Sequence, residues 1–265
     1  MPASRINSLE APDEAPDEAL DEALDEALDE VTAKTLSLAG FISKDLSKNG
    51  FRRMHILVPQ VRGLVKKGYS FYDASPTSIV KRWDQIWKHS QWYEVAHQAL
   101  YYYQQRMLHS AITRSEFSRI KTWINRCDCW SHSDDLSKIY AQVVEDNPSW
   151  ILPLYETWNR AKSPWKRRQS VVGLIEYKAK RKHVLPFSIL IRFVDPLLQD
   201  EDYYVQKGVG WTLREIYNAY PDKTLDYIKA NLGSLSAIAY SSSTEKLDRK
   251  TKAGLNSTRK SLRTS

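Results

Sequence analysis

Apolar residues recur at spacings of three and four along most of this sequence, and this helical periodicity constrains the fold more than any other feature. Breakers such as Ser75-Pro76 and Asn147-Pro148 separate the periodic runs, at points where helices should begin or end. No alternating run is long enough to be a convincing strand. Only 9 of the 265 residues are glycine, which argues against β-sandwiches and glycine-rich phosphate loops. The sequence therefore predicts an all-α fold.

The helical segments also repeat along the chain. Candidate first helices of successive units begin near Gln91, Trp130, Trp165 and Tyr203, at intervals of 39, 35 and 38 residues. A pair of helices every ~40 residues is the period of HEAT and armadillo repeats. Such units stack into a curved solenoid, so we expect a concave face that can hold a partner.

Charge is distributed very unevenly along the chain. Residues 1–30 hold 11 acids and one base, whereas residues 31–265 carry a net charge of +17. A positive field of this strength favours a polyanionic partner, with nucleic acid the first candidate and an anionic membrane surface the second. A merely soluble basic protein is the third interpretation. We expect the concave face of the solenoid to be basic.

Both ends of the chain have biased composition. Residues 10–30 are an acidic repeat of period four, and like charges four residues apart oppose an isolated helix. Residues 1–30 are therefore predicted to be a disordered acidic tail, which either shields a basic groove or aids solubility. Residues 246–265 carry seven bases and one acid and are predicted to be a flexible basic tail. The helical-repeat domain is predicted to span residues 31–245.

Several classes of protein are disfavoured by what the sequence lacks. It contains no glycine-rich phosphate loop, no GxSxG motif and no HExxH motif. Its two cysteines, Cys127 and Cys129, are one residue apart, so they form no disulfide framework. With His132 they match no zinc spacing, and we expect no metal and no cofactor.

Hydropathy gives an expectation about location. No run of about 18 apolar residues could form a membrane span, and no apolar signal region is present at the N-terminus. We therefore expect a cytoplasmic protein, associated with the nucleoid if it is bacterial.

Three clusters of aromatic and basic residues could carry chemistry. In the first, Trp130 and Asp134 are four residues apart and share one helical face. The structural alternative is a capping box with Ser131 as N-cap, Asp134 at the third position and Trp130 buried.

The second cluster places Lys166, Arg167 and Arg168 in the first turn of a helix, where the helix dipole disfavours cations. This makes a phosphate-facing role more attractive than a structural one. In the third, Gly208 and Gly210 interrupt an apolar helix at about 1 kcal/mol each relative to alanine. Close packing against a neighbouring helix would explain them.

Together these stretches resemble the DNA alkylation repair, or AlkD-like, glycosylases. The segments that carry the resemblance, in the order and at about the intervals typical of that family, are PQVR at 59–62, WYEVAHQAL at 92–100, WSHSD at 130–134, WKRRQSVVGLIEYK at 165–178 and KGVGWTLRE at 207–215. The resemblance covers roughly residues 35–247.

The resemblance implies a glycosylase that hydrolyses the N-glycosidic bond of cationic alkylated purines, such as 3-methyladenine and 7-methylguanine, in duplex DNA. Asp134 would stabilise the oxocarbenium ion and orient water, between aromatic walls formed by Trp130 and Trp211. Arg168 would contact a phosphate. A cofactor is not implied, and a monomer is expected. Further backbone contacts are assigned to Lys166, Arg167, Lys207 and Arg214.

Some residues depart from the family pattern. Cys129 replaces a tryptophan that often precedes the motif, and His132-Ser133 fill its interior. Asp135 directly follows Asp134, so the catalytic carboxylate is ambiguous. Two other functions remain open: a non-catalytic HEAT-like protein that binds damaged or branched DNA, and a solenoid scaffold for an acidic protein partner.

Overall fold

The fold is all-helical, as predicted. The computed structural model describes residues 17–42, 50–176 and 181–264, and within them the only β-type pairing is a bridge between Arg52 and Trp92. The first seven helices are α1 (Asp17–Leu36), α2 (Val58–Lys67), α3 (Pro76–His89), α4 (Tyr93–Arg106), α5 (Arg114–Ile120), α6 (Trp130–Asp146) and α7 (Pro148–Trp158). The next six are α8 (Pro164–Val172), α9 (Phe187–Val194), α10 (Tyr203–Ala219), α11 (Pro221–Ala230), α12 (Ala237–Ser243) and α13 (Arg249–Thr264).

Helices α4, α6, α8, α10 and α12 contact one another in succession and form a continuous layer. Helices α3, α7, α9 and α11 each pack on a member of this layer as the second helix of a pair. The predicted repeat starts near residues 91, 130, 165 and 203 coincide with the starts of α4, α6, α8 and α10. This arrangement confirms the prediction of stacked helical units.

Helix boundaries follow the local chemistry of the sequence. Ser75 and Ser163 accept a hydrogen bond from the third backbone N–H of α3 and α8, and a proline opens each of these helices. The interior is rich in aromatic rings, with Trp83 and Trp87 fully buried and Trp123 stacked on Trp87 at 5.3 Å. Large rings fix the register of neighbouring units because they bury much area at little entropic cost.

The N-terminal acidic segment differs from its prediction. Residues 17–30 are helical and belong to α1, which packs against α2, α3 and α4. Leu24, Ala27 and Val31 are buried on one face of this helix. Burial of that apolar stripe outweighs the repulsion between like charges, which opposes only an isolated helix. The prediction of disorder is wrong for residues 17–30; residues 1–16 lie outside the described residues.

The C-terminal segment also forms a helix, so the prediction of a flexible tail over residues 246–265 is wrong. Leu247 is buried, and α13 begins directly after Asp248, which accepts a hydrogen bond from the backbone N–H of Thr251 at 2.9 Å. Leu255 and Arg259 anchor α13 to the connection between α11 and α12. The folded unit therefore extends past both boundaries of the predicted 31–245 domain.

Over the described part of the chain, every helix is too short or too polar to cross a membrane.

Candidate functional site

The site is built around the first turn of α6. Cys129 is the N-cap and Trp130 is the first helical residue, so the alternative of a capping box with Ser131 at the N-cap is wrong. The Ser131 hydroxyl instead lies 2.6 Å from the Tyr93 hydroxyl on α4. Trp130 is 57% exposed and projects from the protein rather than into the core. The ring is therefore accessible to a ligand at the start of the helix.

Two cavities of about 400 Å³ each meet at Trp130 and Asp134, which line both of them. Of the sequence-predicted residues, Trp211 and Arg214 line the first cavity, whereas Arg168 and Lys207 line the second. The first cavity is also lined by Val58, Arg62, Tyr93, His97, Tyr101, Ser131, Asp135, Ser137, Lys138 and Glu176, and the second by Tyr203 and Tyr204.

Asp134 is the carboxylate that both cavities share, and its side chain is 46% exposed. Its Oδ1 accepts a hydrogen bond from the Arg168 Nη2 at 2.5 Å. The Arg168 guanidinium is buried and also donates to the Tyr204 carbonyl at 2.7 Å and to the Ser133 hydroxyl at 3.2 Å. These three hydrogen bonds fix the arginine, and the arginine in turn fixes the carboxylate.

Asp135 has the opposite surroundings. Its carboxylate is nearly buried and accepts hydrogen bonds from His97 Nε2 at 2.7 Å, Lys138 Nζ at 2.6 Å and Gln104 Nε2 at 3.0 Å. Burial alone would raise the pKa of Asp135, but the hydrogen bond and charge of His97, together with Lys138, hold it well below its usual value. Asp135 is thus tied into an ion network, while Asp134 remains accessible.

One wall of the first cavity was not predicted from the sequence. Tyr93, His97 and Tyr101 lie four residues apart on α4 and present a stripe of rings to the cavity. Burial, above all, raises the pKa of Tyr101 to about 12, and the Arg62 guanidinium lies 4.7 Å from its ring centre. The signal was present in the sequence as an aromatic spacing of four, next to the apolar face of the same helix.

His132 lies beneath the first turn of α6 and has no exposed surface. Its ring stacks on Tyr93 at 4.6 Å and lies 5.2 Å from the ring of His97. Burial lowers the pKa of His132 to about 4, so the ring is neutral near pH 7. This residue supports the helix that carries Trp130 and Asp134 and does not face either cavity.

The four cations that were predicted to contact the DNA backbone have different environments. Arg167 pairs bidentately with Asp200 at 2.5 and 3.1 Å, donates to two backbone carbonyls and lines neither cavity; its predicted contact with the DNA backbone stays a prediction. Arg214 contacts Glu215 and Glu245 at 3.1 and 2.5 Å, yet it still lines the first cavity. Lys207 is exposed at the second cavity, and Lys166 is half-buried.

The glycines of α10 serve close packing, as predicted. A Cβ at Gly208 would lie 3.2 Å from the Arg168 side chain. A Cβ at Gly210 would lie 2.5 Å from the carbonyl oxygen of Ala239 on α12. The first glycine makes room for the arginine that holds Asp134, and the second brings α10 against α12 and fixes Trp211, one residue further on.

The second cavity has an aromatic shelf at the start of α10. Tyr203 and Tyr204 are 52% and 38% exposed, and their rings meet edge to face at 5.1 Å. Trp165 packs on Tyr204 at 5.1 Å and supports the shelf from α8. Exposed rings beside a lysine are typical of sites that stack nucleobases next to a phosphate backbone.

One cluster of the described residues has the donor types of a metal site. The ligand atoms of Asp128, Cys129 and His132 lie within 4.8 Å of one another. His132 Nδ1 is already 3.0 Å from an Asp128 oxygen, and the positive end of the α6 dipole disfavours a cation here. The cluster therefore fits a pair between the Asp128 carboxylate and the His132 ring better than it fits a metal ion.

Comparisons with known proteins agree with this architecture. The sequence profile described as "DNA alkylation repair enzyme" matches residues 21–247. No functionally curated protein matches the sequence significantly.

Solved structures with a similar arrangement of helices include the following two. A predicted DNA alkylation repair enzyme from Enterococcus faecalis superposes with a TM-score of 0.63 at 18% identity, over 83% of this chain and 96% of that one. AlkD2 from Streptococcus mutans superposes with a TM-score of 0.52 at 16% identity, over 83% of this chain and 99% of that one. At these identities, the likeness concerns the arrangement of helices.

Proposed function

The chain belongs to the DNA alkylation repair enzyme family, and from this premise we propose that it is a DNA glycosylase that removes cationic alkylated purines from duplex DNA. The single observation that carries the proposal is the Asp134 carboxylate. It is accessible, it is held by the buried Arg168, and it lies between two cavities with aromatic walls.

Hydrolysis of the N-glycosidic bond of a cationic base requires one carboxylate and few other catalytic groups. An N3- or N7-alkylated purine is positively charged, so it leaves without a general acid. As the C1′–N bond breaks, its electron pair returns to the base, and positive charge develops on the deoxyribose. The Asp134 carboxylate would stabilise that oxocarbenium ion and orient a water molecule toward C1′. The water oxygen forms the new bond, and its proton passes to the carboxylate or to solvent.

The aromatic residues suit a cationic lesion. Electron-rich faces of Trp130 and Trp211 would attract the alkylated base by cation–π interaction, worth about 0.5–2 kcal/mol per ring. Both tryptophans line the first cavity, together with the ring stripe of α4. Lys207, exposed at the second cavity, and Arg214 in the first would contact the phosphate backbone, which positions a duplex without reading its sequence.

Arg168 has a different role in this proposal from the phosphate contact expected from the resemblance. Three of its N–H groups are used within the protein and one of them orients Asp134. We assign it as a positioning residue for the carboxylate.

A second candidate is a protein that binds damaged or branched DNA without excising a base. The same ion pair favours it, because a guanidinium 2.5 Å from Oδ1 compensates part of the negative charge that the oxocarbenium ion needs. The scaffold alternative predicts no salt-dependent affinity for DNA, so one titration of a duplex against salt tests it.

The decisive experiment is release of 7-methylguanine and 3-methyladenine from methylated duplex DNA under single-turnover conditions. Asp134→Asn should lower the rate about 100-fold or more, because the developing charge loses its counter-charge, while duplex affinity stays nearly constant. The matched control is Glu201→Gln, an exposed acid that lines neither cavity. Wild-type protein that binds methylated duplex but releases no base would favour the second candidate. Full excision by Asp134→Asn would remove this residue from the mechanism.

A further inference from the structure

Helix α13 is a strongly basic element beyond the region that the family profile matches. Its sequence, RKTKAGLNSTRKSLRT, holds six bases and no acid, and it begins two residues after position 247, where the matched region ends. Three of the bases, Arg249, Lys250 and Lys252, lie within its first turn. The positive end of a helix dipole disfavours cations at this point, so the sequence is unfavourable for the isolated helix.

The helix is nevertheless firmly docked. Leu255 is buried, and the Arg259 guanidinium donates to the carbonyls of Leu232 and Leu235 at 2.7 and 2.5 Å. The Tyr240 hydroxyl donates to Asn256 at 2.7 Å from the adjoining helix α12. These interactions fix one face of α13 against the protein and determine which residues face solvent.

The cations at the start of α13 lie on the solvent side. Arg249 and Lys250 are exposed and Lys252 is half-buried, and none of the three forms an ion pair with the described part of the chain. Fixed, neighbouring positive charges of this kind repel one another unless a partner neutralises them. A polyanion that crosses the start of the helix would do so.

The two cavities together form a cleft, and a short connection sets the position of α13 relative to it. Glu245 accepts a hydrogen bond from Arg214, which lines the first cavity, and Lys246 lies 3.8 Å from Glu215 on the same helix, α10. Arg249 follows three residues later, and three residues span at most about 11 Å. The cations of α13 therefore continue from the wall of the cleft.

We propose that the start of α13 is a second binding surface for duplex DNA, in which Arg249, Lys250 and Lys252 bind backbone phosphates several base pairs from the lesion. The proposal rests on the proposed function in that the duplex occupies the cleft. The contacts of α13 would lengthen the stretch of duplex that the protein binds beyond the cavities, and they do not depend on base excision.

The test measures the affinity for an undamaged 20-base-pair duplex as a function of salt. The triple variant R249Q/K250Q/K252Q should bind several-fold more weakly. Its slope of log affinity against log salt should be shallower by about 0.9 for each phosphate that the helix no longer neutralises. The charge-preserving variant R249K/K250R/K252R should keep the wild-type slope. Single-turnover excision at saturating protein should be unchanged in both variants.

The matched control is K121Q/K223Q/K229Q, which removes the same charge from helix ends and faces that line neither cavity. A slope for the α13 variant equal to that of wild type, or shallower only as much as in this control, would overturn the proposal. Phosphatidylglycerol vesicles provide the other arm: weaker binding to vesicles together with an unchanged DNA slope would assign the helix to a membrane surface instead. Because undamaged DNA is the probe, a protein that fails to excise still tests the inference.

Discussion

The two walls of the cleft treat their charged groups in opposite ways. In the wall formed by α4 and α6, the Asp135 carboxylate is hydrogen-bonded to His97 and to the Lys138 ammonium close to the core. In the wall formed by α8 and α10, the buried Arg168 reaches across to Asp134, which is open to solvent. In the first wall, the ion pair of Asp135 stabilises the packing of the helices. In the second wall, the buried Arg168 orients the accessible carboxylate of Asp134. The two adjacent aspartates therefore have different roles.

The largest effect is expected for Asp135→Ala, which tests the stabilising role of the first wall. The variant leaves His97 and Gln104 without their buried acceptor, so the free energy of unfolding at pH 7 should fall by about 3 kcal/mol. Since the folded pKa of Asp135 is lowered, its contribution is present above about pH 4 and is lost as the pH falls further. Urea unfolding at pH 7 and pH 3 measures both effects. Asp134→Asn, which changes a half-exposed residue and keeps an oxygen acceptor for Arg168, is the control, and equal destabilisation in the two variants would refute the division between the walls.

Arg168→Ala tests the other wall. Without its partner, Asp134 loses a fixed orientation, and a misplacement of about 1 Å can lower the single-turnover excision rate about 100-fold. The salt slope of duplex binding should change little, because the guanidinium is engaged inside the protein. Lys207→Ala is the contrasting variant, for which we expect a shallower slope and a normal rate at saturation. If Arg168→Ala behaved like Lys207→Ala, Arg168 would be a phosphate ligand.

His132→Phe sharpens the comparison by removing a neutral ring from the first wall. The folded pKa of His132 is about 4 against about 6.5 unfolded, so the unfolded chain binds an extra proton between these values. Stability is therefore lost as the pH falls, by about 2 kcal/mol between pH 7 and pH 5 for this residue alone. The variant should lack that part of the pH dependence in urea unfolding, whereas His109→Gln, at an exposed position, should retain it. An unaltered pH profile in His132→Phe would show that the pKa of this ring is the same in the folded and unfolded states.

The smallest effect is expected for Trp130, which lines both cavities. In an Asp134→Asn background, which prevents excision, Trp130→Ala should weaken binding of a duplex with a cationic lesion by about 0.5–2 kcal/mol relative to undamaged DNA. Thermal stability should be unaffected because the ring is 57% exposed. Leu108→Ala, another exposed apolar position, controls for the smaller apolar surface. Equal weakening for damaged and undamaged duplexes would assign Trp130 to general DNA binding.

Periodicity and breakers were enough to predict the helical units, because they report which face of a segment is buried. The resemblance to a known family, and not the periodicity, pointed to Trp130, Asp134, Arg168 and Trp211, which the structure brings to the two adjoining cavities. The sequence did not predict which distant residues pair, because the partners of Arg167 and Arg168 are 33 and 34 residues away. Nothing in the local sequence distinguishes the surroundings of Asp134 from those of Asp135.

The two ends of the chain show a different limit of sequence reasoning. Repulsion along an isolated helix was weighed correctly for the acidic segment, but the burial that opposes it depends on neighbours such as α3 and α4. The same holds for α13, whose anchors are the buried Leu255 and Arg259 in a largely polar sequence. Composition describes the solvent side of such helices and misses the few residues that dock them.

The geometry of α1 has a consequence for how its tandem repeat can vary. Each four-residue unit advances an α-helix by about 400°, so equivalent positions drift about 40° around the axis per unit. The apolar positions of successive units soon turn away from the stripe that contains Leu24, Ala27 and Val31. Units added or removed by replication slippage upstream of this stripe would leave its packing intact. Each EALD unit adds two negative charges, so copy number would tune the electrostatics of one end of the protein independently of its fold.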